Sequence, residues 1–264
     1  MNKLFYFKFF LFFSFVFFQS YSSETSNLNH KKLKVLVLII ASDNYPVYVE
    51  LQKIWRSYMH NNPDQIETYF IKGDPNLEND FEFRGDEIWS RTAESLFAGV
   101  TNKTLLSLEA IMPRLHEFDY VLRTNLSSFY YFPNLLKFLE TRPKTNYYGG
   151  GFCYYNGGEY ACGCGFLMSP DIIPILVQNK TLFLDKHECC DDVLLGHFLI
   201  QKAGIKLDAY FNRVDIYSMA DFDNQKDTIP HDAYHFRVKN NIHELRLTDD
   251  IFIHKWLLKK YYQI

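Results

Sequence analysis

The chain has 264 residues and a formal net charge of -3 at pH 7, with 47% hydrophobic and 22% charged residues. This composition is that of a globular protein and excludes extensive disorder. The length allows one large α/β domain or two small ones, and we expect one. The pI is near 6.3 and no long basic run is present, so nucleic acid is not an expected partner.

Residues 1–23 have the form of a secretory signal. Lys3 and Lys8 precede an apolar run at 9–18, and a polar, Ser-rich stretch follows. The run is shorter than the roughly 20 apolar residues of a membrane span, which favours a cleaved signal peptide over a short uncleaved signal anchor. Either form predicts a chain in the secretory pathway lumen (ER/Golgi), as a secreted or a type II membrane protein. Residues 24–31 are then a flexible spacer, and only the N-terminal segment would contact a membrane.

Glycosylation sequons and possible disulfides are two further features that a chain in the secretory lumen can carry. Sequons begin at Asn102, Asn125 and Asn179, although such triplets also arise by chance. The cysteines are Cys153, Cys162, Cys164, Cys189 and Cys190. Their spacing is not that of a zinc finger. The spacing leaves open whether a disulfide joins the first group, Cys153, Cys162 and Cys164, to the second group, Cys189 and Cys190. Cys164 is expected to be structural, because no Cys-His-acid pattern accompanies it.

Strand and helix patterns alternate along the rest of the chain. Residues 34–42 are continuously apolar, as in a strand buried on both faces of a parallel sheet. A helical pattern over 45–62 has Pro46 in its first turn, and a second strand covers 66–73. The acidic stretch 74–87 is predicted as a surface loop.

The middle of the chain continues this alternation. Residues 92–116 have the pattern of a long amphipathic helix, interrupted near Gly99. A strand at 119–124, a helix over 133–140 and a short strand at 146–151 follow it.

The last predicted elements begin with a Gly-rich aromatic loop over 150–165, after which 165–169 returns to the sheet. Helices over 170–179 and 190–205 precede a strand at 206–211. The alternation predicts one α/β domain over 32–264, with a mostly parallel sheet flanked by helices. We expect the ligand cleft at the carboxyl ends of the strands, between the turns after Ala41 and Arg123 and the 150–165 loop.

Five short motifs occur in one order along residues 34–205. They are LVLIIASDN with a following IW, VTNKTLLSLEAI, FDYVLRTNLSSFYYF, EYACGCGFLMSPD and DDVLLGHFLIQKAGI. Together they resemble the inverting β-1,3-galactosyl and N-acetylglucosaminyl transferases of GT-A fold, with Lys103 and Thr104 in matching places. The resemblance implies a Rossmann-like GT-A domain, a nucleotide-sugar donor, and a glycan or glycoprotein acceptor.

The chain departs from this family in the metal-binding motif. The acidic triplet of the family matches Asn125, Leu126 and Ser127, so no carboxylate remains there to hold an ion between the donor phosphates. Mn²⁺ and Mg²⁺ favour charged oxygen ligands, so neither is firmly predicted as a cofactor. The alternative is a poor metal site from Asn125, completed by His235 and Asp192.

Cationic side chains are a second way to balance the charge of a diphosphate. The segment 231–246 carries His231, His235, Arg237, Lys239 and Arg246. If YHFRV is a strand, His235, Arg237 and Lys239 alternate onto one face. Donor binding is therefore predicted for these three residues together with Arg123, Thr124, Asn125 and Ser127. A solvated basic edge strand, and an ion pair between Arg123 and a helix residue, are the structural alternatives.

An inverting transfer needs a general base for the acceptor hydroxyl. The family's Glu-Asp-Val element matches Asp191, Asp192 and Val193, so the resemblance implies Asp192 as the base and Asp191 as the second candidate. Capping of a helix N-terminus would also select carboxylates at these positions.

Two further groups complete the candidate site. Ser42 and Asp43, at the end of the first strand, suit contacts with a nucleotide base or ribose, although an Asx turn explains them as well. The tyrosines Tyr154, Tyr155 and Tyr160 would stack on an acceptor sugar or pack in the core or its rim.

The sequence therefore predicts a lumenal glycosyltransferase, hexosyltransferase-like and inverting. The alternative from another class is a catalytically degenerate GT-A domain that binds glycans or a protein. A metal-independent or retaining transferase of another GT-A family is a third interpretation, and fold analogy supports all three.

Overall fold

The computed structural model describes residues 32–209 and 212–264, so the predicted signal segment 1–23 and spacer 24–31 lie outside the described residues. The strands are β1 (Val35–Ile40), β2 (Ile66–Gly73), β3 (Phe81–Arg84), β4 (Glu87–Ser90), β5 (Tyr120–Asn125), β6 (Ser128–Tyr130), β7 (Tyr148–Tyr155), β8 (Gly158–Met168), β9 (Leu207–Asp208), β10 (Arg213–Ile216) and β11 (His235–Val238). The α-helices are α1 (Pro46–Tyr58), α2 (Ala98–Ile111), α3 (Phe132–Leu139), α4 (Ile173–Gln178), α5 (Asp191–Gln201), α6 (Met219–Gln225) and α7 (Arg246–Tyr262).

Eight strands form the central sheet in the order β3-β4-β2-β1-β5-β8-β7-β9. The pairs β1–β2, β1–β5, β2–β4 and β7–β9 are parallel. The pairs β3–β4, β5–β8 and β7–β8 are antiparallel. A small second sheet has the order β10-β11-β6. The predicted fold class, an α/β domain with a mostly parallel sheet flanked by helices, is confirmed.

The central strand β1 shows why the sheet lies between two layers of helices. Val35, Val37 and Ile39 pack into one core, and Leu36 and Leu38 pack into the other. Residues from α1, α3 and α7 belong to the first core, and residues from α2, α4 and α5 to the second. A strand covered on both faces needs this continuous apolar run, because its side chains alternate between the faces.

The acidic stretch 74–87 is a surface loop, as its composition predicted, only over 74–80. Most of its second half belongs to the hairpin β3–β4 at the sheet edge, where Phe83 pairs with Ile88. Gly85 has a φ of 62° in the connecting turn, a conformation that glycine adopts without steric cost.

The Gly-rich stretch 150–165 is also a hairpin instead of a loop. β7 and β8 pair in antiparallel fashion around Asn156 and Gly157, which have φ values of 46° and 81°. Asn-Gly is a favoured pair for a two-residue hairpin turn. The register then shifts between Gly150 and Phe152. Residues 162–165 of β8 lie opposite Gly151 alone, which makes a bulge of the kind that re-aims backbone groups.

Two predicted elements have different bounds or character in the structure. α2 begins at Ala98, after the irregular stretch 92–97, and is buried on nearly all sides, so it is not amphipathic. The helix then tightens into a 3₁₀ turn over Met112–Glu117. The last predicted strand is reduced to the two residues of β9, and positions 210–211 lie outside the described residues.

The elements β10, α6 and α7 were not predicted from the sequence. α7 packs against α1, with the rings of Tyr58 and Tyr262 stacked at a centroid distance of 5.0 Å. It also carries Arg246 at its first position. None of the helices within 32–209 and 212–264 has the length and apolar character needed to cross a bilayer.

Candidate functional site

A cavity of about 630 Å³ opens at the carboxyl ends of β1 and β5. This is the edge at which open α/β sheets bind their ligands. Its walls come from the turn after β1, the β5–β6 turn, the β8 bulge, the start of α5, and the segment from β11 to α7. The predicted cleft segments therefore do meet, although residues 150–165 contribute through the bulge alone.

The backbone of Gly163 in the bulge connects three of these walls. Its N–H donates to Asp192 Oδ2 at 2.6 Å, and its carbonyl accepts from Asn125 Nδ2 at 3.0 Å and from Arg123. An added Cβ at this position would lie 2.7 Å from Asp192 Oδ2. Any larger residue here would therefore displace the Asp192 carboxylate from its present position.

Asp191 is buried and already has two partners. Its Oδ1 is 2.5 Å from Arg123 Nη2, and its Oδ2 accepts from Thr104 Oγ1 at 2.8 Å. Because both oxygens are engaged, Asp191 holds Arg123 in place and is not free to take a proton from a substrate. The ion pair of Arg123 with a helix residue, considered as an alternative from the sequence, is therefore present.

Asp192 has the surroundings of a proton acceptor. Its side chain is half-buried and lines the cavity, and it accepts from Gly163 N and from Val193 N. Burial raises the pKa of Asp192 to about 6, and the adjacent Asp191 carboxylate adds to the rise. A general base works best with a pKa close to the operating pH. The bond to Val193 N also gives one backbone N–H in the first turn of α5 a side-chain partner, although the N-cap residue of α5 is Cys190.

The Asn125-Leu126-Ser127 segment forms a closed turn. Asn125 Oδ1 accepts from Ser127 N at 3.1 Å, which is an Asx turn, and its Nδ2 donates to Gly163 O. The Ser127 hydroxyl accepts from Arg246 Nη2 at 2.9 Å. Neither side chain therefore has the free, charged oxygen that Mg²⁺ or Mn²⁺ favours.

A rebuilt metal site does not fit these residues. Within 32–209 and 212–264, no group of three or more His, Cys, Asp or Glu side chains is arranged to hold a metal ion. His235, one weak candidate ligand, is fully buried and stacks on Tyr130 with ring centroids 4.4 Å apart. Asn125, the other candidate, uses its oxygen in the Asx turn.

Three basic side chains line the opposite side of the cavity: Arg237, Lys239 and Arg246. Arg246 forms a buried ion pair with Asp250 at 2.8 Å. In contrast, no ion pair with a carboxylate holds Arg237 or Lys239 in the part of the chain that the structure describes. Burial lowers the pKa of Lys239, and the nearby Arg237 lowers it further. An anion in the cavity would therefore meet two cations whose charge no carboxylate balances.

His235 does not line the cavity with Arg237 and Lys239, although alternation along the strand predicted one shared face for all three. Its Nε2 lies 3.1 Å from Ser128 Oγ beneath the cavity wall. Burial, with Arg213 and Arg237 nearby, lowers the pKa of His235 well below its usual value. A neutral, enclosed imidazole cannot contact a donor phosphate, so its donor-binding assignment is not supported. His231, earlier in the same segment, is exposed and lies outside the wall.

Thr124 and Asp43 also lie away from the positions that their predicted roles require. The Thr124 hydroxyl is buried and donates to Cys164 O at 2.7 Å, so it ties β5 to the bulge. Asp43 forms an ion pair with Lys72 at 3.0 Å and accepts from Gln52, and its neighbours Ser42 and Asn44 line the cavity instead.

The three predicted acceptor-binding tyrosines do not contribute to the described cavity wall. Tyr154 and Tyr155 are 64% and 52% exposed near the tip of the β7–β8 hairpin. Tyr160 packs beside His197 of α5, with ring centroids 6.0 Å apart. The predicted core or rim packing fits Tyr160 alone, since Tyr154 and Tyr155 are more than half exposed. Tyr45 and Tyr48, which the sequence analysis missed, line the cavity in their place.

A buried lysine adds a charge that sequence reasoning left without a role. Lys103 of α2 donates to Ala41 O at 2.7 Å and to Glu94 Oε2 at 2.6 Å, and it lines the cavity. Burial lowers the pKa of Lys103. The available signal in the sequence was a lysine within a helix pattern rich in apolar residues. A buried lysine needs partners for its charge, and such partners often belong to a functional site.

All five cysteines are free thiols. The disulfide left open between the two cysteine groups is therefore not formed in this structure. Cys162 and Cys164 line the cavity next to Gly163, and Cys190 lines it at the start of α5.

Comparison with known proteins shows a likeness of fold but none of sequence. The sequence matches no protein-family model and no curated protein. The structure is similar to the crystal structure of a glycosyltransferase involved in the glycosylation of the major capsid of PBCV-1. The TM-score is 0.52 with 8% sequence identity, over 83% of this chain and 99% of that one. At this identity the likeness shows that the two chains share a fold, and the fold is one that a glycosyltransferase uses.

Proposed function

We propose that this protein is a glycosyltransferase that moves a sugar from a nucleotide-sugar donor to a hydroxyl of a glycan or glycoprotein, with inversion. One observation carries the proposal. A half-buried carboxylate, Asp192, shares a cavity with Arg237 and Lys239, at the carboxyl edge of a glycosyltransferase-like sheet. The compartment proposed for this reaction is the secretory lumen, from the form of residues 1–23.

In the proposed reaction Asp192 takes the proton of the acceptor hydroxyl while that oxygen bonds to the anomeric carbon. The bond between this carbon and the diphosphate oxygen breaks on the opposite side, which inverts the configuration. Gly163 N–H and Val193 N–H orient the carboxylate through their hydrogen bonds. A base placed in this way contributes about 10² to 10⁴ in rate.

Arg237 and Lys239 are assigned to the leaving diphosphate. Cations beside a leaving group stabilise the charge that develops on it, most strongly where little water is present. Arg237 is half-buried, whereas Lys239 is exposed. Arg246 lies next to them and is fixed by Asp250 and Ser127. Since the residues at 125–127 do not suit a metal ion, no step of this proposal passes through one.

The direct test is a donor screen with the purified protein. Nucleotide release from a panel of sugar nucleotides would be measured with a glycan acceptor mixture, in EDTA and then in excess Mn²⁺. We expect release from at least one donor in EDTA, with little gain on adding Mn²⁺. The Asp192→Asn variant controls for contaminating enzymes, because it should retain nucleotide binding without release. Release that depends strictly on Mn²⁺ would contradict the assignment of the diphosphate to Arg237 and Lys239.

A degenerate domain that binds glycans or a protein is the second candidate. The Asx turn at Asn125 favours it, because this turn replaces the carboxylates of the family that the sequence resembles. Glycan binding together with no nucleotide affinity in calorimetry would support this candidate over the enzyme.

A further inference from the structure

The bulge of β8 brings two thiols together in the cavity wall. Cys162 and Cys164 both line the cavity, and their Sγ atoms are 3.3 Å apart. Cys164 is buried and Cys162 is half-buried, so a reagent in the cavity reaches Cys162 first. The two cysteines are separated by Gly163 alone.

Cations surround this pair. Arg213 Nη1 donates to Cys164 Sγ at 2.8 Å, and Arg237 lines the cavity beside them. The hydrogen bond from Cys164 lowers the pKa of Cys162 to about 4, and Arg237 and Arg213 support that change against the effect of burial. The reduced pair therefore carries a negative charge near the cations assigned to the diphosphate. The thiolate is also the reactive form of cysteine.

We propose that Cys162 and Cys164 form a reversible disulfide, and that its formation strengthens diphosphate binding in the cavity. This inference rests on the proposed function, since it concerns regulation of the same site. In the reduced state the sulfur charge offsets part of the positive charge of Arg237 and repels a phosphate. Oxidation removes that charge and leaves the cations unchanged.

The chemistry needs a disulfide oxidant such as glutathione disulfide. The Cys162 thiolate attacks one oxidant sulfur, and the oxidant S–S bond breaks to release one glutathione thiolate. Cys164 then loses its proton and attacks Cys162 Sγ, which releases the second glutathione. The cysteine pair loses two electrons, and the oxidant gains them as two glutathione molecules. The small Cys-Gly-Cys ring is expected to be strained, so a thiol reductant should reopen it easily.

The experiment uses the purified full chain, equilibrated with oxidised or reduced glutathione. Mass spectrometry after alkylation would identify the internal Cys162–Cys164 link. Calorimetry with inorganic pyrophosphate would measure anion affinity in both states. We expect about tenfold tighter pyrophosphate binding in the oxidised protein, the effect of removing one charge several ångströms away at a partly exposed site.

Matched variants separate this pair from the other cysteines. Cys189→Ser should keep the difference between the two states. The double variant with Cys162→Ser and Cys164→Ser should abolish it and bind pyrophosphate as tightly as the oxidised wild type, because neither hydroxyl carries a charge. If this variant fails to fold, as judged by its melting curve, the double variant with Cys162→Ala and Cys164→Ala provides the same comparison.

Three results would overturn the inference: equal affinity in the two states, a stable glutathione adduct without the internal link, or a link between other cysteines. These results are distinguishable from failure of the proposed function. A protein that turns over a sugar nucleotide equally in both states rejects the redox inference alone. A protein that forms the disulfide and binds pyrophosphate more tightly, yet uses no donor, rejects the transferase alone.

Discussion

Two adjacent carboxylates at the start of α5 show how surroundings separate the roles of identical side chains. Both line the cavity, but Asp191 is buried and bonded to Arg123 and Thr104, whereas Asp192 is only half-buried. The second has a raised pKa because burial and its neighbour both disfavour its charge. Proton acceptance and helix capping at Asp192 are compatible, and the variants below measure each contribution.

The Asp192→Asn variant should lose transfer by about 10² to 10⁴ in kcat while keeping nucleotide affinity, because the amide retains size but cannot accept a proton. Steady-state kinetics and calorimetry on one preparation would check both quantities. Asp191→Asn is the comparison variant. We expect it to lower the free energy of unfolding more than it lowers kcat, because it leaves Arg123 as an uncompensated buried charge.

The raised pKa of Asp192 also predicts a pH dependence of stability. The folded protein binds this proton more tightly than the unfolded chain, so the contribution of Asp192 to the free energy of unfolding falls as pH rises from 3.8 to about 6. Above that range the cost remains. Asp192→Asn should therefore be more stable than wild type at pH 7.5, by about 2 to 3 kcal/mol, with the gain shrinking toward pH 4. Urea denaturation at both pH values would measure this gain, and a less stable variant at pH 7.5 would mean that capping dominates.

Arg237 supports a prediction about binding at the same scale. Arg237→Ala should weaken nucleoside diphosphate binding by about 1.5 to 3 kcal/mol, the range for a hydrogen bond to a charged group. The loss should shrink as salt is raised, because screening weakens the interaction in both proteins. Arg91→Ala, at an exposed arginine paired with Asp80, is the matched control and should leave affinity unchanged.

Among the elements, the bulge in β8 does the most to shape the site, because one glycine joins β5, β8 and α5. Gly163→Ala would place a methyl group against Asp192 Oδ2 and displace the carboxylate. We expect a loss of transfer larger than the loss of stability. Gly157→Asn is a suitable control, since that turn glycine has open space around it and asparagine tolerates its positive φ. Equal activity of both variants would remove the bulge from the mechanism.

One hydroxyl of helix α7 bonds to the backbone of both β6 and α3, and its contribution can be tested alone. Tyr262 OH donates to Tyr130 O at 2.9 Å and accepts from Phe132 N at 3.0 Å. Tyr262→Phe leaves both backbone groups without this partner and should cost about 1 to 3 kcal/mol of unfolding free energy. Chemical denaturation would measure the loss. Tyr45→Phe is the comparison, because Tyr45 is 48% exposed and its hydroxyl can reach water.

Sequence periodicity predicted the elements whose burial is one-sided or complete, such as β1, β2 and α1. It failed for the hairpins β3–β4 and β7–β8, because glycines and acidic residues predicted loops while cross-strand pairing decided the outcome. The adjacency of Asp192 to the cavity followed from the family resemblance. The burial of His235 and the exposure of Tyr154 did not, since both depend on contacts between segments far apart in the chain.

For the molecule as a whole, the predicted lumenal location can be tested through its sequons. The Asn102 amide is buried and donates to Thr92 and Asp185, and the Asn125 amide is used in the bulge contact. Asn179 lies at the end of α4 and is partly exposed. A full chain expressed in a secreting cell should lose a glycosidase-sensitive mass shift on Asn179→Gln and keep it on Asn102→Gln. No shift together with cytosolic recovery would contradict the signal assignment of residues 1–23.

The order in which the cavity walls occur along the chain has a consequence for its biosynthesis. Asp192 and the β8 bulge precede Arg237, Lys239 and Arg246 in the chain, so they are synthesised first. A nascent chain therefore contains Asp192 and Gly163 before it contains these three basic side chains. Such a chain has only Lys103 and Arg123 of the five Lys and Arg side chains that line the cavity, and carboxylates already pair with both. We therefore expect full affinity for a diphosphate only once residues 237–246 have been added and Arg246 has bonded to Ser127.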